Sequence, residues 1–163
     1  MKETGQIKSR HSVRKYRKEP IPREVVEDIL DCGRLAPTAR NVQPWLIWAV
    51  TDKSLLARLA GLTDHGKFIA DAAACFAVFC LKSEKYYLED GCAATMNLLH
   101  ACHAHGLGAC WIAGDKKPYA EDTRKLIGAP PGYSLVALAA AGYPAESPGE
   151  KGKKPLGDVT FIK

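Results

Sequence analysis

No apolar run in this 163-residue chain approaches the roughly 18–20 residues a membrane-spanning helix needs; the longest lie around 74–81 and 135–141. Its six cysteines, Cys32, Cys75, Cys80, Cys92, Cys102 and Cys110, follow no framework spacing and stand among apolar neighbours. The opening MKETGQIKSRHSVRKY lacks the basic head, apolar run and small-residue cleavage site of a secretory leader. These two absences lead us to expect a reducing cytoplasm and mostly buried thiols. Repeats, low-complexity tracts and internal linkers are missing too, so one domain spanning 1–163 is expected. With 47% apolar and 25% charged residues, the composition excludes a disordered tail and a small disulfide scaffold.

Familiar catalytic signatures are absent as well. There is no G-x-S-x-G elbow, and each cysteine lies in an apolar stretch that would raise its thiol pKa and lower its reactivity. Gly106-Leu107-Gly108 follows a helix and precedes a strand, the reverse of the dinucleotide-binding order. His100, Cys102, His103, His105 and Cys110 invite a metal reading. Only His100 and His103 share a helix face, however, and no second ligand pair supports them, so no metal is expected.

What the chain does have is positive charge at its ends. Residues 1–18 carry +6 and residues 150–163 carry +2, around a body of −3. Such arms could grip a polyanion, or both termini could converge on a small phosphorylated ligand. The nucleic-acid version lacks aromatic interleaving and a recognition-helix pattern, so no nucleic acid is expected.

Periodicity and punctuation predict a helix from Pro20/Pro22 to about Leu35, a strand at Trp45–Thr51 and a short helix capped by Asp52. A strand buried on both faces follows at Ala74–Leu81, then a long helix from Ser83 to His105. Strands at Cys110–Ala113 and Leu135–Tyr143 flank a helix at Pro118–Ile127 closed by Gly128. Asp158–Ile162 has strand character but stands apart, behind a Gly/Lys/Pro run. The pattern is that of a helix-covered sheet, α/β or α+β. The long helix is apolar or small nearly all round (CAATMNLLHAC), which points to a second subunit packing on it.

Three segments are candidates for binding. In Arg10-His11-Ser12-Val13-Arg14 an extended backbone puts Arg10, Ser12 and Arg14 on one side, suited to phosphate and equally to a solvated basic strand. Ala36 to Trp45 is a proline-bracketed loop with Asn41 and Gln43, able to meet the polar edge of a flat heteroaromatic ring or simply to join helix and strand. Gly114, at a strand end, allows close backbone approach or plain turn chemistry.

Together, SRHSVRKY, APTARNVQPW, HGLGACWIAG and the C-terminal GKKPLGDV, in this order, resemble the short form of the FMN-dependent nitroreductase family from about Ile7 to Ile162. The resemblance implies an α+β fold with a mixed central sheet flanked by helices. It also implies an intertwined homodimer with C-terminal strand exchange and FMN at the interface. Arg10, His11, Ser12 and Arg14 would hold the phosphate, ribityl and pyrimidine edge, with Lys153 and Lys151 or Lys154 completing the phosphate site. Pro37, Thr38, Ala39, Asn41 and Gln43 of the other subunit would line the ring, and Lys67 would reach the pyrimidine carbonyl. Backbone of Ile112, Ala113 and Gly114 would approach flavin N5, and Arg40 would reach the substrate or the partner chain.

The implied reaction is ping-pong, with a hydride passing from NADH or NADPH through flavin N5 to a nitroaromatic, quinone or similar conjugated acceptor and no catalytic side chain. The same fold also hosts dehalogenation, flavin cleavage and ring dehydrogenation, and a non-catalytic flavin-binding protein is a further alternative.

Overall fold

A computed structural model describes residues 4–147, 149 and 152–163. The helices are α1 (Thr4–Ser9), α2 (Arg23–Arg34), α3 (Lys53–Leu62), α4 (Tyr87–Ala104) and α5 (Ala120–Ile127). The strands are β1 (Trp45–Val50), β2 (Ala74–Leu81), β3 (Gly108–Ala113) and β4 (Tyr133–Gly142), in the spatial order β1-β2-β4-β3. The fold is α+β. All three strand pairings are antiparallel, and parallel character enters through an isolated bridge between Ser12 and Ala109.

β2 is buried along nearly its whole length because it lies inside the sheet with helices on both faces. Phe76 and Val78 point to the α2/α4 face, whereas Cys75, Ala77 and Phe79 meet Leu56 and Leu59 of α3 on the other. A bulge shifts the register between β2 and β4 at Val78/Phe79, so that Val136 and Ala137 both join the α2/α4 layer. Asp52 caps α3, its Oδ1 accepting from Leu55 N–H at 2.8 Å, and Gly128 ends α5 in the left-handed region.

One expectation is corrected. The long helix starts at Tyr87, not at Ser83: residues 81–87 make successive turns (Glu84 N–H to Leu81 O, Tyr87 N–H to Glu84 O), and no side chain caps α4. Glu89 and Asp90 supply the negative charge its first turn favours. Within its own chain α4 packs between α2 and the sheet, and Met96 is its one large apolar side chain that stays exposed. Asp158–Ile162, expected to pair away from its own core, is not a strand within the single chain. A 3₁₀ turn at Leu156–Asp158 leads into irregular chain, with Leu156, Val159, Phe161 and Ile162 all exposed. A strand needs a neighbour to satisfy its backbone, and this segment pairs with no strand of its own sheet. No helix among the described residues is long and apolar enough to cross a membrane.

Candidate functional site

The basic N-terminal segment runs along the outer edge of β3. Val13 N–H donates to Ala109 O at 3.0 Å, and the buried Val13 sets the phase that leaves Ser12 and Arg14 exposed and Arg10 half-buried. Tyr16 anchors the segment from beneath, its hydroxyl donating to Val13 O (2.7 Å) and Ala140 O (3.1 Å); burial pushes that phenol's pKa far up and keeps it neutral. The Arg14 guanidinium lies over the Phe68 ring at 5.8 Å, while Arg10 and His11 line a hollow of about 200 Å³ between α1 and the end of α4.

The chain leaving β4 returns antiparallel along the same segment. Arg17 N–H donates to Tyr143 O and Ala145 N–H to Lys15 O, and a bridge joins Tyr16 to Pro144. The approach to the C-terminal lysine run therefore lies beside the N-terminal arginines. Lys153 and Lys154 are exposed; Lys151 lies outside the described residues.

At the other end of β3 the backbone is tightly set. Gly114 and Asp115 N–H both donate to Val136 O, at 3.0 and 3.2 Å, and the Tyr119 hydroxyl donates to Ala113 O. Gly114 N–H thus turns toward β4, whereas Ala109 O faces the opposite edge. Because amide direction repeats every second residue, Trp111 and Ala113 N–H face that outer edge too. The close approach at Gly114 comes from within the fold: a Cβ there would lie 2.5 Å from Leu135 Cγ. Ile112 points into the core.

The loop before β1 is a third part. Arg40, Asn41 and Gln43 all have left-handed backbones (φ 52, 58 and 53), a conformation costing a residue with a side chain on the order of 1–2 kcal/mol. Asp90 of α4, only 6% exposed, offsets that strain. Its Oδ2 accepts from Thr38 Oγ1 at 2.8 Å and its Oδ1 from Ala39 N–H at 3.1 Å, charge-assisted bonds worth about 1.5–3 kcal/mol each. Pro37, Arg40, Asn41 and Gln43 are exposed, and Thr38 and Ala39 are half-buried. Sequence reasoning missed Asp90, although a carboxylate one helical turn before Ala94 and two before Leu98 was a legible signal.

Lys67 directly precedes Phe68, over whose ring the Arg14 guanidinium lies. Its Nζ donates to Ala60 O and Gly61 O at 3.2 and 3.1 Å, where the end of α3 attracts a cation. The histidines of the metal reading go separate ways: His103 Nε2 pairs with Ser9 Oγ and His105 Nε2 with Asp28 Oδ2. Desolvation, reinforced by Arg10, His100 and His11, lowers the His103 pKa. No disulfide joins the cysteines, and burial pushes Cys75, Cys80 and Cys102 up to about 12.

Fold and site together define an α+β protein whose open sheet edge gathers cations at one end and outward amides at the other. The sequence model of the Nitroreductase family matches residues 7–77 and 63–143. A protein of Methanothermobacter thermautotrophicus carrying the provisional name NADH dehydrogenase/NAD(P)H nitroreductase is 32% identical, covering 89% of this chain and 78% of its own. A crystal structure of a similarly named protein from Bacteroides thetaiotaomicron superposes with a TM-score of 0.89 at 28% identity, covering 96% of this chain and 95% of that one. An FMN-dependent nitroreductase from Clostridium difficile gives 0.84 at 27% identity, covering 95% and 93%. The chain belongs to the Nitroreductase family, a family of oxidoreductases.

Proposed function

We propose that two copies of this chain form an FMN oxidoreductase that draws on NADH or NADPH and reduces a nitroaromatic, a quinone or a related conjugated acceptor. The observation that carries this reading is the shared edge of β3. Arg10, Ser12 and Arg14 run beside Ala109, and the outward Ala113 N–H lies four residues on, about 13 Å at the strand rise. That donor set fits a group with an anionic end and a flat, hydrogen-bonding end. Guanidiniums meet phosphate oxygens in paired bonds, and a fixed amide meets a ring nitrogen at low reorganisation cost.

The chemistry FMN supplies when bound is hydride uptake at N5 from a nicotinamide and hydride delivery to an acceptor in a second half-reaction. The residues of this chain bind and orient. Arg10, His11, Ser12 and Arg14 neutralise and hold the phosphate, ribityl and pyrimidine edge, with Lys153 and Lys154 adding charge. Ala113 N–H donates toward N5, held in direction by the bond from Tyr119 to the neighbouring carbonyl. Lys67, anchored at the end of α3, reaches the pyrimidine carbonyl by releasing those two carbonyls.

Strand order supports a shared site. Loop 37–43 enters β1, at the opposite edge of the sheet from β3, three strand spacings or about 14 Å away. A second copy is the direct way to bring such a loop to the β3 edge, where Pro37, Thr38, Ala39, Asn41 and Gln43 would line the ring and Arg40 would face the acceptor. The exposed Leu156, Val159, Phe161 and Ile162 are apolar enough to dock on that second copy.

An absorbance spectrum of the purified protein tests the proposal. A two-band flavin spectrum that bleaches anaerobically with NADH or NADPH is expected; protein that stays colourless with added FMN would overturn it.

A further inference from the structure

One buried charge lies outside the donor set proposed along β3. Asp90 lies in the first turn of α4, yet its two oxygens accept from Thr38 and Ala39, across 52 and 51 residues of chain, and from no amide of its own helix. Thr38 Oγ1 in turn accepts from Gln43 N–H at 3.1 Å. One carboxylate therefore holds the beginning of the loop directly and its end through a single hydroxyl. Between those points lie the left-handed residues Arg40 and Asn41, with left-handed Gln43 closing the loop. The loop's internal turns, Asn41 N–H to Thr38 O and Val42 N–H to Ala39 O, begin at the two residues the carboxylate grips.

Asp90 cannot give way. Its neighbour Gly91 is pressed so closely on the sheet that a Cβ would lie 2.6 Å from Val136 Cγ2 and 2.9 Å from Cys80 Sγ. The carboxylate position is thus set by the sheet and handed to the loop. Backbone strain of this kind persists only where surrounding structure enforces it, and it clusters where geometry matters to a ligand.

We propose that Asp90 is a positioning residue that, through Thr38, holds loop 38–43 in the shape that presents Asn41 and Gln43 to the flavin ring bound by a second copy of this chain. The inference rests on the FMN reading, and its test separates the two. Asp90 is 6% exposed and bonded to Thr38 and Ala39, so it acts through the loop.

The experiment uses the full-length protein and four variants: Asp90→Asn, Asp90→Ala, Thr38→Val and Thr38→Ser. Three quantities are read: the FMN dissociation constant from flavin fluorescence, tryptic cleavage after Arg40 in the protein without FMN, and the urea midpoint. Thr38→Val, which keeps the shape of the side chain and loses the relay, is expected to weaken FMN binding and speed cleavage at Arg40, each by about tenfold. Cleavage at other sites stays near wild type, while the urea midpoint falls modestly, as the loss of one hydrogen bond to a buried carboxylate requires. Thr38→Ser, which keeps the hydroxyl and both of its hydrogen bonds, returns cleavage at Arg40 to near the wild-type rate, Asp90→Asn falls between, and Asp90→Ala is the most severe.

A merely structural role would raise cleavage at every site together, in step with the lowered urea midpoint, which overturns the proposal. Thr38→Val that binds FMN as wild type does also overturns it, whatever happens to cleavage. If wild-type protein itself binds no FMN, the underlying reading fails as well, an outcome distinct from variants that match a wild type which does bind.

Discussion

Gly114→Ala probes the set of the β3 edge most directly. The added methyl would sit 2.5 Å from Leu135 Cγ, 2.9 Å from Leu135 Cδ2 and 3.0 Å from the carbonyl carbon of Val136. Leu135 is 1% exposed, so its branch point has no room to swing, and the Val136 carbonyl is already shared by two amides. Overpacking of this kind costs about 1–3 kcal/mol. Restricting the unfolded chain returns up to about 1 kcal/mol, for a net loss of about 1–2 kcal/mol. In a chain of this length that lowers Tm by about 2–8 °C. The strand end relieves the clash by moving, which turns the Ala113 amide off its direction, so FMN affinity is expected to fall by about tenfold.

Gly61→Ala is the control. Gly61 lies in α3 with nothing within 4 Å of a new Cβ, so this variant should gain about 0.5–1 kcal/mol and bind FMN normally. Thermal melts and flavin titrations of both proteins decide the matter. Gly114→Ala that melts at or above wild type and binds FMN unchanged would refute the reasoning.

Arg10→Ala and Arg14→Ala should each weaken FMN binding about tenfold to a hundredfold, the loss of a charge-assisted contact, without unfolding the chain. Equal affinities in a fluorescence titration would count against the phosphate assignment. Deleting residues 156–163 removes all four exposed apolar tail side chains and should convert a dimer to monomers in sedimentation, with flavin lost. A truncated protein that stays dimeric and yellow would contradict the shared site. The lowered His103 pKa means that the folded state prefers the neutral ring, so the unfolded chain binds more protons just below the usual value near 6.5. Stability is therefore lost as pH falls from about 6.5 toward the lowered value. Urea midpoints should drop less between pH 7.5 and 5.5 in His103→Gln than in wild type, and equal drops would show that this ring carries none of the dependence.

Much of the fold was legible because its signals are local. β2 was read residue for residue at Ala74–Leu81, since an unbroken apolar run bounded by polar residues has few other solutions. Asp52 and Gly128 announced where α3 begins and α5 ends. The one misreading has an equally physical cause: Ser83 is a good cap by type, but the turns of residues 81–87 consume the chain before α4 begins. Within the chain, α2 and the sheet cover much of the apolar circumference of α4. The tail, read as a segment that pairs away from its own core, has no pairing partner within its own sheet.

The candidate site divides in the same way. The alternation of Arg10, Ser12 and Arg14 is a property of any extended backbone, so the sequence by itself determined that these side chains share one side and that charge gathers at both termini. That residues 143–145 pair with residues 15–17 was decided by the exit of β4. Only the tertiary structure placed β1 and β3 at opposite edges, which separates the loop proposed to line the flavin ring from the edge proposed to hold the rest of the cofactor. It alone brought Asp90 to Thr38 and Ala39. Caps and periodicity act within a turn or two of chain and are written in neighbouring residues. Strand order and a buried carboxylate's partners arise from packing surfaces far apart in sequence, and they exist only once the core has closed.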